Sequence, residues 1–328
     1  MEPKYTLFYL FGRPVTLFSL CIALAVAVGL FLIYREQKKS GLRADTTEIF
    51  ALLAIPLGLL GGRIVYCLSN LSMYLEFGAV RMLKLWEGGY AMLGILPGVA
   101  LAANLTGKIT HQPVAQILDM VAAPGALIIA LCRFSEWASG QGTALTEVEI
   151  PFFQRFPFAV YDAEWEIWFW AVFMLEGVAA WIIALVLQSK RFSQTPGSRA
   201  KMFVILLSCS QMFLEMLRRE GDALVLNPWF IRITQVGALV ILVAVMVSAF
   251  AQWKRFENDK RMSGGKMAVY WLIFLACAGI NIWMQFAVQK SADLPVWACY
   301  AIMGITCIAF GIIAYQVMFR YQIQDQSE

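Results

Sequence analysis

The sequence predicts an all-α, polytopic transmembrane helical bundle: a seven-helix core plus two extra C-terminal transmembrane helices. Three observations carry the bundle. Of 328 residues, 60% are apolar and 15% charged, whereas soluble domains run near a quarter charged. Mean hydropathy is +0.67. Apolar runs of about 20 residues, the length that crosses a hydrocarbon core as a helix, recur along the whole chain.

Taken in order, the expected spans are 15–34, 48–69, 89–106, 115–134, 166–188, 201–218, 231–252, 267–289 and 294–317. The first is too long for a cleavable signal, lacks a small-residue cleavage site, and so reads as a retained helix. The fourth holds Asp119 and Arg133, the fifth Glu176 beside Gly177, the sixth Gln211, Glu215 and Arg218. The last two carry Asn281, Gln285 and small residues, which suit helix packing.

Basic clusters orient the bundle by the positive-inside rule. Arg35, Lys38, Lys39 and Arg43 follow span one; Lys190, Arg191, Arg199 and Lys201 follow span five; Lys254, Arg255, Lys260, Arg261 and Lys266 follow span seven. These loops share one side, so the amino terminus is expected outside and the carboxyl terminus in the cytoplasm. The outer segment 135–165 combines Glu136, Glu147, Glu149, Asp162 and Glu164 with one basic residue, Arg155, and with Gly140, Gly142 and several aromatics. Such a segment reads either as a functional loop or as an interfacial aromatic belt.

The net charge of +4 sits in short clusters rather than a continuous patch, which excludes a nucleic-acid partner. Cys21, Cys67, Cys132, Cys209, Cys277, Cys299 and Cys307 stand singly in apolar segments, so buried thiols are expected and no metal or redox pair. No phosphate-binding glycine loop follows a strand, so no nucleotide cofactor is expected either.

A charge at mid-membrane costs at least about 2.5–3.5 kcal/mol, so charges within spans mark sites or need partners. Arg63, Arg133, Glu136 and Arg218 fall near the outer ends of their spans. Arginine forks at one level suit a phosphate, and a phospholipid headgroup is the natural anion there. The competing reading has each arginine snorkelling to the interface, with Glu215 and Arg218 pairing along one helix and Glu176 a packing acid. His111, the only histidine, falls with Lys108 in the loop between spans three and four, on the opposite side. No histidine base is therefore available at the outer side, which excludes a serine-hydrolase triad.

The order of motifs resembles the prolipoprotein diacylglyceryl transferase family over about residues 10–252. The similar pieces are GGRIVY at 61–66, LWEGGYAMLG at 85–94, LDMVAAP at 118–124, Arg133 followed by SEWASG at 135–140, LEMLR at 214–218 and TQV at 234–236. The resemblance implies a seven-helix domain over 1–252 with the outer loop 135–165, a basic cytoplasmic linker over 253–266, and two additional helices with a short tail over 267–328. It also implies a bacterial inner-membrane enzyme that moves a diacylglyceryl group from phosphatidylglycerol to the lipobox cysteine of a prolipoprotein, recognised with its signal-peptide region.

In that mapping Arg133, Glu136 and Glu215 are the catalytic candidates, and Arg63, Asp119, Arg218, Gln211 and Gln235 bind substrate. Arg133 would hold the lipid phosphate, and Glu136 or Glu215 would take the thiol proton. The chain departs from the family where Leu93 replaces a histidine, Leu207 and Gln211 replace a tyrosine and an arginine, and Glu136 and Ser139 replace two asparagines. A relative that binds lipid or protein without this transfer is the alternative. A transporter fits less well, because no duplicated halves are evident.

Overall fold

The computed structural model describes residues 5–144, 146–189, 196–219, 225–226, 231–255, 263–290 and 294–324. Its helices are α1 (Leu17–Ser40), α2 (Thr46–Ser69), α3 (Leu71–Phe77), α4 (Met92–Thr110), α5 (Val114–Ser135), α6 (Val172–Leu187), α7 (Ser198–Leu217), α8 (Ile233–Arg255), α9 (Gly264–Lys290) and α10 (Val296–Gln324). Eight of them are long and apolar enough to cross a membrane, and α6, with 16 residues, is a shorter apolar helix. The chain is a multi-pass, all-α membrane bundle.

Among the described residues three two-stranded antiparallel pairs accompany the helices: β1 (Thr6–Leu10) with β2 (Arg13–Thr16), β3 (Ala159–Asp162) with β4 (Ile167–Trp170), and β5 (Val225–Leu226) with β6 (Ile231–Arg232). β3 and β4 form the second hairpin. The second hairpin corrects the fifth span, expected from residue 166. Ile167–Trp170 is strand β4, and α6 begins only at Val172. A short apolar strand that runs directly into an apolar helix cannot be separated from it by hydropathy alone, so a hydropathy window merges them.

Local chemistry sets several boundaries. Thr16 caps α1, its hydroxyl accepting from the Ser19 backbone N–H at 3.2 Å, and Gly41 ends the helix in the left-handed region. Buried Gln37 then locks the turn into α2, donating to the Arg43 and Ala44 carbonyls at 2.7 and 2.8 Å and accepting from the Thr47 N–H at 3.0 Å. His111 closes α4 at φ 56, with its backbone N–H on the Gly107 carbonyl. The lone histidine is thus an exposed helix terminator.

The chain divides into two compact units, Met1–Phe203 with Leu217–Thr234, and Val204–Met216 with Gln235–Glu328. In the first unit α2 packs on α4, and α5 packs on both α1 and α6. The α2–α4 approach is backbone to backbone: a Cβ at Gly61 or Gly94 would collide with the other glycine's carbonyl. Without a hydrophobic drive between helices in lipid, such close contact is what holds them together. The core of this unit gathers Ile33, Phe50, Ala102, Ala103, Ile117 and Met120.

In the second unit α9 packs on α10. Asn281 donates across this pair to Thr306 Oγ1 at 2.7 Å, and Met216, Met284, Ala287, Cys299 and Met303 are buried together. All seven cysteines are free; Cys67, Cys277, Cys299 and Cys307 are buried as expected, whereas Cys21, Cys132 and Cys209 are half-buried. Of the expected linker 253–266, residues 256–262 lie outside the described residues, as do Lys190 and Arg191.

Candidate functional site

Four charged side chains converge in the first unit. Arg133 comes from the last turn of α5, and the chain then tightens into a short 3₁₀ turn that begins at Glu136. Glu176 comes from the second turn of α6. Arg218 follows the end of α7 and is held by backbone contacts on both sides. It forms a bridge with Ala144, its carbonyl accepts from Arg232 Nη2 at 2.9 Å, and the next N–H, of Arg219, donates to the Thr143 carbonyl at 2.9 Å.

Arg133 Nη1 binds Glu136 Oε1, and Arg218 Nη2 binds Glu136 Oε2. Glu176 Oε2 completes the ring, 3.2 Å from Arg133 Nε and 3.6 Å from Arg218 Nη2. The side chains are 13% (Arg133), 12% (Glu136), 0% (Glu176) and 8% (Arg218) exposed. Two cations and two anions sum to zero, which makes the burial tolerable, while loss of any one member strands a buried charge. Arg218 Nε is buried without a hydrogen-bond partner, so the ring keeps an unsatisfied donor.

Gly142 closes one side of the ring. It sits at φ +78, its carbonyl accepts from the Phe173 N–H at 2.9 Å, and a Cβ there would stand 2.7 Å from Arg218 Nη2 and also strike Glu136 Oε2. Only glycine brings backbone this close in that conformation. Gly142, and Glu176 as a partner of both arginines, are site members that sequence reasoning did not assign. The signals were present: an isolated acid in an apolar span, and two glycines ahead of an aromatic segment.

The other candidates lie elsewhere. Arg63 is buried, and its guanidinium donates to the carbonyls of Arg81, Met82, Lys84, Gly88 and Gly89. It borders a cavity of about 200 Å³ with Tyr66, Met73, Tyr74 and Arg81. Burial raises the Tyr74 phenol above its ordinary value, with the charge of Arg63 opposing the shift. Of the three arginines expected at one level, Arg133 and Arg218 share Glu136, whereas Arg63 is bound to the carbonyls of the loop 81–89.

Asp119 accepts from the N–H groups of Gly197 and Ala200, the latter at 2.9 Å, and so caps the start of α7. Gln211, Glu215 and Gln235 are buried and belong to the second unit. Gln235 Nε2 donates to the Met212 carbonyl at 3.0 Å, while Gln211 Oε1 and Gln235 Oε1 are buried acceptors without a hydrogen-bond partner. Leu93 lies half-buried in the first turn of α4. Among the described residues no group of three or more His, Cys, Asp or Glu side chains is arranged to hold a metal.

An arginine pair around a carboxylate, just inside a helix bundle, is an arrangement that can exchange that carboxylate for another anion. The profile of the prolipoprotein diacylglyceryl transferase family matches residues 5–251. A phosphatidylglycerol–prolipoprotein diacylglyceryl transferase of Nocardia farcinica is 27% identical over 294 residues, which are 80% of this chain and 56% of that protein. Proteins of the same name from Clostridioides difficile and Bacillus licheniformis are 25% identical over 257 residues and 26% identical over 259; these cover 77% and 74% of this chain, and 96% and 88% of theirs. The chain thus spans a little over half of the Nocardia relative and nearly all of the Clostridioides one.

Proposed function

Because the chain belongs to the prolipoprotein diacylglyceryl transferase family, we propose that it transfers a diacylglyceryl group from phosphatidylglycerol to the lipobox cysteine of a prolipoprotein. It would do so in a bacterial inner membrane, at the outer leaflet, with the amino terminus outside and the carboxyl terminus in the cytoplasm. The basic clusters Arg35–Arg43 and Arg199–Lys201, at the ends of the helices opposite Arg133, support that orientation.

The observation that carries the reading is the clamp of Arg133 and Arg218 on the two oxygens of Glu136. A phosphodiester presents two charged oxygens at similar spacing and carries one negative charge, so it can take that carboxylate's place between the two guanidiniums. The lipid phosphate would sit between the two guanidiniums and release Glu136. The freed carboxylate then accepts the proton of the cysteine thiol as sulfur attacks the glyceryl carbon. The carbon–sulfur bond forms, the carbon–oxygen bond to phosphate breaks, and glycerol 1-phosphate leaves with its charge held by Arg133 and Arg218. Glu176 keeps the pair of arginines neutralised from behind.

Glu215 is kept as a second candidate base and Gln211 and Gln235 as substrate-binding positions on the motif resemblance, with the burial of all three as support. Arg63 and Asp119 are assigned instead to holding the loop 81–89 and the start of α7. The test is transfer of radiolabelled diacylglycerol from phosphatidylglycerol to a lipobox peptide by purified protein, wild type against Arg133→Ala. Transfer abolished by the substitution supports the reading. A wild type without transfer, beside a working relative, overturns it.

A further inference from the structure

At the end of the bundle away from Arg133, helices α1, α5 and α6 and the start of α7 enclose a second cavity, of about 710 Å³. Along α5, Asp119 at its border and Arg133 are separated by about 21 Å at the helical rise of 1.5 Å per residue. Its two ends have opposite character. Arg35, Glu36, Lys39 and Arg199 line one, and Leu32, Leu127, Trp181 and Leu185 line the other. Trp181 and Leu185 are also 48% and 49% exposed on the flank of α6, so the apolar end opens sideways toward the hydrocarbon.

The charged end is unbalanced. Lys39 and Arg199 share Glu36, at 2.5 and 3.2 Å, and Asp119 is taken by the backbone N–H groups of Gly197 and Ala200. Among the described residues Arg35 has no carboxylate partner, and Arg199 Nε is buried without a hydrogen bond. Two guanidiniums with unused donors, above an apolar chamber open to the membrane, fit an anionic head with an acyl tail.

We propose that this cavity binds a phosphate-bearing anion through Arg35 and Arg199, with an anionic phospholipid of the facing leaflet as its occupant. The site is separate from the clamp of Arg133 and Arg218 and does not depend on the reaction assigned there. The apolar chamber is what favours a lipid over free phosphate.

The experiment places the photoreactive residue p-benzoylphenylalanine at position 185, in place of Leu185, in the purified full chain in phosphatidylcholine nanodiscs. Radiolabelled phosphatidylglycerol is the probe. The expected result is labelling displaced by excess unlabelled phosphatidylglycerol but not by phosphatidylcholine, and reduced roughly tenfold by Arg35→Gln or Arg199→Gln, the worth of one charge-assisted hydrogen bond. Arg35→Gln breaks no ion pair in the described residues, so it keeps the test independent of folding. Displacement by inorganic phosphate alone would support the anion site and identify a soluble source. Labelling displaced equally by phosphatidylcholine, or unchanged in both variants, would mean annular lipid only and would overturn the proposal. The same probe in place of Leu175, half-exposed at the other end of α6, reports the Arg133 end and separates failure of one site from failure of the other.

Discussion

Arg133 Nε stands 3.2 Å from Glu176 Oε2, and the Glu176 side chain is wholly inaccessible to solvent. This pair joins α5 to α6 at the level where Arg218 also arrives. Removing Glu176 leaves two buried guanidiniums with one carboxylate between them. Glu176→Ala is expected to destabilise the protein by about 3–5 kcal/mol, the usual cost of breaking a buried ion pair. Glu176→Gln should recover part of it through shape and a retained acceptor. Thermal unfolding in detergent reads the order wild type, Gln, Ala; an Ala variant as stable as wild type would refute the ring as a structural unit.

Gly142 offers a test of proximity against strain. Gly140 and Gly142 both sit at positive φ, +73 and +78, but a Cβ at Gly140 meets nothing within 4 Å, whereas one at Gly142 collides with Glu136 and Arg218. Alanine at either position carries the left-handed penalty of about 1–2 kcal/mol. Only Gly142→Ala should also pry the ion ring apart and lower transfer activity by about tenfold or more, the effect of a displacement of order 1 Å in a positioned site. Equal activity in the two variants would remove Gly142 from the site.

The membrane helices were legible because about 20 apolar residues have few other uses, and Arg133, Glu136 and Arg218 were legible because charge within such runs is costly. Their partnership was not. Spacing can only suggest local pairs such as Glu215 with Arg218, three residues apart, while Glu136 lies 82 positions from Arg218 and meets it through the fold. Likewise Arg63 and Arg133 look equivalent as arginines at span ends; only the path of the loop 81–89, rich in free carbonyls, distinguishes a loop anchor from an anion ligand. Strand β4 was hidden for a third reason, since it runs directly into an apolar helix and hydropathy alone does not separate the two.

The capping of α7 by Asp119 predicts a local effect. Asp119→Ala removes the acceptors for the Gly197 and Ala200 N–H groups and should cost about 1 kcal/mol, with Asn, which keeps one of the two oxygens, in between. Hydrogen exchange at Gly197–Lys201 should accelerate in the Ala variant while the amides around Arg133 keep their protection. Slowed or unchanged exchange would show that the contacts to Asp119 do not hold the helix start.

Arg63 predicts a different phenotype from Arg133. With its donors on the carbonyls of residues 81–89, Arg63→Ala leaves buried acceptors unsatisfied, at about 1–3 kcal/mol for each that water does not reach. Arg63→Lys, with a point charge in place of a planar fork, should restore only part. Limited trypsinolysis after Arg81 and Lys84 should therefore quicken in the order wild type, Lys, Ala. Were cleavage unchanged while phosphatidylglycerol affinity fell, Arg63 would be a headgroup ligand after all.

The C-terminal helices raise the question of whether α9 and α10 are an appendage to the family domain or part of its packing. Met216 of α7 is buried with Met284 and Ala287 of α9 and Cys299 and Met303 of α10, in a unit that also takes in residues 204–216. In lipid the loss of such neighbours forfeits packing and the Asn281–Thr306 hydrogen bond rather than a hydrophobic drive. A chain ended after Arg255 should still insert, because insertion follows the hydropathy of each span. It should nonetheless unfold at a lower temperature, and it should lose activity, since α7 runs on directly into Arg218. Equal unfolding temperature and equal transfer in the shortened chain would make the last two helices a dispensable module, and the boundary near residue 252 a true domain boundary.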